Sequence, residues 1–399
     1  MAKADDEQAV SEAEVEEWFE EEGEEPSLAE NRTAEDAAEK YARSQLRVVR
    51  ETKDYQLDYL RHALKPGAEL IDTSPTYQRR LRWSPKKRSL LVESFLLNIP
   101  VPPVFLFEHD YNEYEVIDGR QRLETIREFL ANNFALTGLE YWPELNRLRF
   151  NDLPGVLQKG LLRRSLPAVV LLAETRGSDD EDLDVRRLLF DRLNTGGIKL
   201  NPQELRNALY PGSFNALLIR LARSSQFTKA WRIPPQTHEE DEEIPDVLAK
   251  NTLFRSMADA ELVLRFFALR DAVENKRTGS LRRILDRFME ENQHAAHEDL
   301  VAWEGEFTDL LTRLGSVFPT ELFVLPSTGR PSRPLYDALM IALAQNRGED
   351  VESDVVSIRR RLKEALNDPD DYEILVGRGN TIEAIRERVS LAASILLGA

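Results

Sequence analysis

Apolar residues recur at two different spacings along the chain, and the spacing changes after residue 174. Before that point, short apolar runs alternate with segments of helical periodicity, and we predict strands over 68–72, 104–108, 114–118 and 167–174. After residue 174 the apolar positions follow helical spacing alone. The pattern therefore predicts an α+β fold, with a mixed α/β core followed by a mostly helical C-terminal half.

Helices are predicted in both halves. In the first half the pattern is helical from about 36 to 64, after Ser84, after Gly119 and over 152–162. In the second half the spacing predicts helices over 181–193, 202–224, 258–275, 280–292, 298–315, 334–346, 352–366 and 381–397.

Composition divides the chain into three regions. Residues 1–35 are rich in glutamate and poor in apolar groups, so we expect an acidic disordered tail. Residues 36–200 form the mixed core and residues 201–399 the helical region. An acidic, proline-containing loop over 233–246 is a candidate boundary within the helical region.

One segment of the tail departs from this composition. In "EVEEWFEEE" (14–22), Val15, Trp18 and Phe19 stand at helical spacing. The segment can be a solvated, solubilising tail, a docking segment, or an acidic decoy that competes with nucleic acid for a basic groove.

Charge and composition exclude some classes of function. Residues 1–40 carry 13 of the 18 net negative charges, so the acidity of the whole chain does not exclude a nucleic-acid partner for the rest. The absence of cysteine excludes disulfides, thiol catalysis and cysteine-ligated metals. No apolar run approaches the length of a membrane span or forms a signal core, which predicts a soluble, cytoplasmic protein without a membrane partner.

The stretch "EYEVIDGRQRLETIREFL" (113–130) predicts a strand, a glycine turn and a helix. The start of a helix attracts anions, and Gly119 lets the backbone approach a ligand closely. Arg120 and Arg122 present guanidinium forks that suit phosphate oxygens. Asp118 could bind magnesium, orient water or accept from a ribose hydroxyl, and Gln121 could contact a phosphate or position a nucleophile. The alternative is an Asp-Gly turn whose arginines pair with surface acids.

Basic and aromatic residues alternate in "PTYQRRLRWSPKKRS" (75–89). Such a mixture can contact a phosphate backbone and stack on bases. Alternatively, the basic residues are solvated on the approach to a helix, and Tyr77 and Trp83 belong to the core. The candidate nucleic-acid contacts are Arg80, Arg82, Trp83, Lys86, Lys87 and Arg88.

A third polar stretch, "NTGGIKLNPQELRNA" (194–208), predicts the end of one helix and the start of another. Gly196 or Gly197 can end the first helix in the left-handed conformation. Asn201 caps the next helix and Glu204 completes its capping box. Asn194 and Thr195 remain polar candidates for ligand contact.

These three stretches, in this order, resemble the GmrSD-type family, whose N-terminal module is catalogued as domain of unknown function 262. The Tyr/Phe-Gln-Arg box of the family is matched by Tyr77, Gln78 and Arg79, followed by the aromatic Trp83. The Asp-Gly-Gln-Gln-Arg-Leu box is matched by Asp118, Gly119, Gln121, Arg122 and Leu123. The Asn-Thr-Gly-Gly…Glu-Leu-Arg-Asn-Ala segment is matched by residues 194–208. The resemblance covers about 55–275.

The resemblance implies a ParB/sulfiredoxin-like core that binds, and often hydrolyses, a nucleoside triphosphate with Mg²⁺ in the restriction of foreign or modified DNA. Asp118 would bind the metal, Gln121 would position water and Arg122 would hold phosphate as the third member of the catalytic set. The further nucleotide contacts implied are Gln78, Arg79, Gly119, Arg120, Asn194, Thr195 and Gly196. DNA and a nuclease or other defence subunit are the expected partners.

Two departures from the family pattern matter. Arg120 replaces the commoner glutamine, which strengthens phosphate binding or disturbs the groups that position water. The five histidines do not form a His-Asn-His nuclease motif, so we do not expect the chain itself to be a nuclease. The alternatives left open are an NTPase, a non-hydrolysing, nucleotide-switched clamp for DNA or a partner, a nuclease built on 75–89 and Asp118, and an interaction scaffold. Homo-oligomerisation is also left open.

Overall fold

The computed structural model describes residues 10–23, 50–65, 70–72, 83–110, 113–172, 201–237, 244–320, 322–377 and 379–398. The chain divides into two compact units. One, the sheet unit, comprises residues 29–200, and the other, the helical unit, comprises residues 1–28 and 201–399. Residues 201–399 thus cluster within one unit; residues 238–243 of the acidic loop and the predicted helix over 181–193 lie outside the described residues.

Strands and helices are interspersed up to residue 172. The elements are, in chain order, α1 (Glu12–Gly23), β1 (Arg50–Gln56), α2 (Leu57–Ala63), β2 (Ile71–Asp72), α3 (Pro85–Leu97), β3 (Val104–Asp110), β4 (Glu113–Asp118), α4 (Arg120–Leu130), α5 (Gly155–Leu162) and β5 (Ser165–Leu171). Short 3₁₀ turns lie at Pro143–Leu145 and Phe150–Asp152. All of these except α1 belong to the sheet unit.

The strands form one five-stranded mixed sheet in the order β1-β5-β3-β4-β2. Strand β5 pairs with β1 antiparallel and with β3 parallel, and β4 pairs with β3 antiparallel and with β2 parallel. Apolar side chains of β3 and β5 pack with α4 in a core that includes Leu106, Leu123, Phe129, Leu166 and Val170. The sheet and the helical second half confirm the predicted α+β class.

The first strand was not predicted. The sequence predicts helix from about 36 to 64, but Arg50–Gln56 are strand β1 and only Leu57–Ala63 are helical. The "RETKDYQ" segment is polar and mostly exposed, so no apolar pattern marks it as a strand. Its conformation comes from seven paired positions along β5, which outweigh the local propensity.

The helical unit continues after residue 200 with twelve described helices. They are α6 (Pro202–Leu209), α7 (Ser213–Leu221), α8 (Ser225–Ala230), α9 (Asp246–Lys250), α10 (Thr252–Arg255), α11 (Ala258–Glu274), α12 (Leu281–Asn292), α13 (His297–Val317), α14 (Arg333–Gln345), α15 (Val355–Ala365), α16 (Pro369–Val376) and α17 (Ile382–Leu397). Within the described ranges, no helix combines the length and the apolar character that crossing a bilayer requires.

Six of these helices, α11 to α15 and α17, begin and end within a few residues of the predictions. The predicted 202–224 helix is instead two helices, because Pro211 and Gly212 separate α6 from α7. The short helices α8, α9, α10 and α16 were not predicted, since they contain too few turns to show a periodicity. Helices α11 and α14 are buried on almost every side and form the centre of the unit.

The predicted cap of α6 is confirmed. The Asn201 side chain accepts hydrogen bonds from the N–H groups of Gln203 and Glu204, at 3.0 and 2.9 Å. The Glu204 carboxylate accepts in return from the Asn201 N–H at 2.9 Å. Burial raises the pKa of Glu204 to about 7, against this backbone hydrogen bond, which lowers it.

The raised pKa makes stability fall as pH rises. The folded chain holds the Glu204 proton up to about pH 7, whereas the unfolded chain releases it near its ordinary value of 4.5. Stability from this group is therefore lost between these pH values, by up to about 3 kcal/mol. We expect Glu204→Gln to remove this fall of the free energy of unfolding with pH and to be more stable than the wild type at pH 8.

Urea unfolding at pH 5, 6, 7 and 8 measures this effect. Glu298→Gln is the matched control, because Glu298 occupies the first turn of α13 and is exposed. If the free energy of unfolding depends on pH in the same way in Glu204→Gln as in Glu298→Gln, Glu204 ionises freely in the folded chain.

Candidate functional site

The turn between β4 and α4 has room only for glycine. Strand β4 ends at Asp118, and Gly119 precedes the first residue of α4 with φ +93°, in the left-handed region. A Cβ at Gly119 would lie 2.3 Å from Cγ1 of Val104 and 2.8 Å from Nη2 of Arg122. The predicted order of strand, glycine turn and helix is confirmed, and the backbone there approaches its neighbours closely.

Arg122 is fixed at the mouth of α4 by two acceptors. Its Nη2 donates to Oδ2 of Asp118 at 2.8 Å and to the carbonyl oxygen of Pro103 at 3.2 Å. The side chain is 14% exposed and that of Asp118 is 36% exposed. The buried Nε of Arg122 has no acceptor among the described residues. The guanidinium is thus held in place through Nη2, and none of its other N–H groups donates to a described residue.

The other two polar residues of the turn are also engaged. Nε of Arg120 donates to Oε1 of Glu124 at 3.1 Å, one helical turn further on. Oε1 of Gln121 accepts from the backbone N–H of Trp83 at 2.9 Å. Both arginines therefore have a carboxylate neighbour, which is the arrangement expected from an Asp-Gly turn with paired arginines. A phosphate would meet groups that are already oriented.

Asp118 suits magnesium only in combination with phosphate oxygens. One carboxylate oxygen accepts from Arg122, which leaves Oδ1 for a cation. Across the described ranges, no group of three or more His, Asp or Glu side chains could hold a metal ion. Mg²⁺ keeps several waters and usually binds through one or two carboxylates and the phosphates of a substrate. The donor set around Asp118 fits that mode of binding.

The described part of the basic stretch is only partly open to a ligand. Trp83 is half-buried against the core, and Nζ of Lys87 lies 4.7 Å from its ring centroid. Arg88 stacks on the Phe134 ring at 4.1 Å. Lys86 is exposed and pairs with Glu140 at 3.3 Å. Lys86 and Lys87 are exposed cations. Trp83 instead packs against the core, as the alternative to a nucleic-acid contact predicts.

The predicted start of a helix after Ser84 is confirmed. Oγ of Ser84 accepts from the N–H of Lys87 at 3.3 Å, and Pro85 is the first residue of α3. The hydrogen bond from Trp83 to Gln121 joins this segment to the start of α4. The structure therefore brings the second half of the basic stretch to the Asp-Gly turn.

Several predicted site residues lie outside the described residues, namely Gln78, Arg79, Arg80, Arg82, Asn194, Thr195 and Gly196. Sequence reasoning missed other groups at the turn. Glu124 could have been found from its position four residues after Arg120, the spacing of helical ion pairs. The Pro103 carbonyl could not, because its role depends on the pairing of β3 with β4.

A comparison with protein-family models places this turn in a known domain. Residues 61–211 match the model of the GmrSD restriction endonuclease, N-terminal domain. No curated protein and no solved structure matches the chain. The matched residues contain all three motif stretches, from Tyr77 to Ala208. The segment 61–211 thus matches the GmrSD-type N-terminal domain, as the three stretches predicted.

Proposed function

We propose that this chain binds a nucleoside triphosphate at the start of α4 and hydrolyses it, as a component of a DNA-restriction or phage-defence system. The match of residues 61–211 to a restriction-endonuclease domain supports a role in a restriction or defence system. The observation that carries the nucleotide site is the mostly buried guanidinium of Arg122, which is fixed beside Asp118 at a helix N-terminus and has N–H groups without a protein acceptor.

Electrostatics favour phosphate at this position. The first turn of α4 presents backbone N–H groups and the positive end of the helix dipole. Because Gly119 has no Cβ, Nη2 of Arg122 can lie close to the backbone of the turn, where it adds a fixed positive charge. A Mg²⁺ ion held by Oδ1 of Asp118 would neutralise part of the phosphate charge. Donors that are oriented before binding stabilise phosphate charge more than mobile ones.

A second candidate function is a clamp that binds nucleotide without turnover. Hydrolysis requires a group that positions the attacking water, and Gln121 and Asp118 are the candidates. One side-chain oxygen of each residue already accepts a hydrogen bond, Oε1 of Gln121 from the Trp83 N–H and Oδ2 of Asp118 from Arg122. These hydrogen bonds leave fewer groups to position water, and a triphosphate that is held intact would act as a switch for DNA or partner binding.

Phosphate release separates the two candidates. The purified chain is titrated calorimetrically with each of the four ribonucleoside triphosphates in Mg²⁺, and phosphate release is then followed with and without DNA. We expect one triphosphate to bind and to be hydrolysed, with Asp118→Asn slowing release by at least about tenfold. Binding without release would favour the clamp, and no binding of any triphosphate would contradict both functions.

The exposed Lys86 and Lys87 support DNA as a partner. Cations contact the phosphate backbone without regard to sequence, so they would add affinity and salt dependence to DNA binding. A nuclease or another defence subunit is the second partner that the domain match suggests, since we assign no nuclease chemistry to the described residues.

A further inference from the structure

Helix α1 is the part of the acidic tail that departs most from the sequence prediction. The composition predicts disorder over 1–35, but Glu12–Gly23 form a helix within the helical unit. Val15 and Phe19 are buried, and the Trp18 ring meets the Trp231 ring edge-on at 6.1 Å. The helical spacing of these three residues in "EVEEWFEEE" was thus the signal of a docking face.

The acidic side chains of α1 contact four arginines. Glu22 pairs with Arg206, and both side chains are buried. Glu21 pairs with Arg333 at 2.6 Å and also accepts from Asn380 at 3.0 Å. Towards the start of α1, the remaining two pairs are Glu14–Arg330 at 3.0 Å and Glu12–Arg255 at 2.5 Å.

These arginines come from separate parts of the chain. Arg206 belongs to α6, Arg255 to α10 and Arg333 to α14, and Arg330 lies just before α14. The fold thus assembles four cations along one surface, which we term the arginine groove (Arg206, Arg255, Arg330 and Arg333). Helix α1 has seven glutamates and no basic residue, and its 12 residues span roughly 18 Å. The glutamates that contact these arginines lie towards both ends of α1, at positions 12, 14, 21 and 22.

The carboxylates of α1 do not use all the donors of the groove. Nε of Arg333 is buried and has no acceptor within the described part of the chain, and Oε2 of Glu22 is buried there without a donor, so the match between helix and groove is incomplete on both sides. Burial lowers the pKa of Arg206 and of Arg333 to about 10, so the acids around them do not fully offset the loss of water. A phosphate group offers more acceptor oxygens than a carboxylate and matches the guanidinium fork equally well.

The attachment of α1 suits an exchangeable element. A helix of 12 residues is marginal by itself in water, so its helicity depends on the groove. Its buried ion pairs contribute little net stability, because desolvation offsets the Coulomb attraction. The apolar anchors in this segment are few, with Val10, Val15 and Phe19 buried. In sequence, the whole sheet unit separates α1 from α6.

We propose that the arginine groove is a binding site for the phosphate backbone of DNA, and that α1 covers it as a displaceable acidic mimic. Release of α1 would free the four guanidinium groups from the α1 carboxylates, and Arg206 would keep its second partner, Asp286, at 2.8 Å. The proposal rests on the proposed function only for the choice of DNA as ligand. It does not require the nucleotide site, so loss of triphosphate binding would leave it standing.

The test weakens the hold of α1 without changing the groove. Glu21→Gln/Glu22→Gln removes the two charges that face Arg333 and Arg206. Glu16→Gln/Glu20→Gln is the matched control, since it removes the same charge from exposed positions of the same helix. The binding of a labelled DNA duplex to the full chain is measured over a series of salt concentrations. We expect the first variant to bind at least about tenfold more tightly than the control, with a steeper salt dependence.

A second pair of changes assigns the gained affinity to the groove. Arg255→Gln/Arg330→Gln, added to Glu21→Gln/Glu22→Gln, should reverse the gain, and a peptide of residues 10–23 added in trans should compete with the duplex. Equal affinities of the two glutamine pairs would overturn the proposal. So would failure of Glu21→Gln/Glu22→Gln to fold, because α1 would then be a permanent part of the helical unit.

Discussion

Arg122→Ala is expected to reduce the affinity for nucleoside triphosphate at least about 100-fold, which corresponds to about 2.7 kcal/mol. The side chain is the mostly buried cation at the mouth of α4, and it is already oriented by Asp118 and the Pro103 carbonyl. Its removal would take away a fixed guanidinium and would leave the negative charge of Asp118 facing the phosphates. Calorimetric titration with the preferred triphosphate measures the loss.

Two further variants show whether the loss is specific. Arg127→Ala removes an arginine from the same helix, where Arg127 pairs with Glu128 at 3.3 Å, and it should bind as the wild type does. Arg122→Lys keeps the charge but lacks the planar fork, so we expect an intermediate affinity. Equal triphosphate affinities of Arg122→Ala and Arg127→Ala would show that the phosphates bind elsewhere.

Asp337→Ala is expected to lower the free energy of unfolding of the helical unit by about 3–5 kcal/mol. Asp337 on α14 and Arg265 on α11 are both fully buried, and Nε of Arg265 donates to Oδ2 of Asp337 at 3.2 Å. Removal of the carboxylate would leave the guanidinium charged, buried and without that partner. The two helices are the most buried of the unit, so the pair lies where the fold cannot relax around a change.

Urea unfolding followed by circular dichroism measures this cost. Asp309→Ala on the exposed face of α13 is the control and should change stability by less than about 0.5 kcal/mol. The double change Asp337→Leu/Arg265→Met should recover most of the loss, because it removes both charges together. A loss of under 1 kcal/mol for Asp337→Ala would mean that water or another acid takes over the carboxylate's role.

The elements with local signals could be predicted from the sequence. Strands β3 and β4, the Gly119 turn and α4 follow from an apolar alternation, one glycine and a helical spacing, all within 30 residues. The start of α6 follows from Asn201 and Glu204 alone, because a capping box is a local device. Each of these signals involves residues that are close to one another in sequence.

The features that sequence reasoning missed depend on distant partners. Strand β1 is a strand because β5, more than 100 residues later, offers it a paired edge. The helical spacing of α1 was visible in the sequence, but its partners were not, because its acids pair with arginines between residues 206 and 333. The hydrogen bond from Trp83 to Gln121 likewise joins two motifs that the sequence shows separately. Composition and periodicity cannot supply such contacts, because the partner is chosen by the fold.

A crystal structure of the full chain with Mg²⁺ and a non-hydrolysable triphosphate tests the central claim most directly. The account predicts phosphate oxygens within about 3 Å of the backbone N–H groups at the start of α4 and of the Arg122 guanidinium. It also predicts Mg²⁺ between those oxygens and Asp118. A triphosphate bound away from the Gly119 turn, with Arg122 still contacting only Asp118 and Pro103, would contradict it.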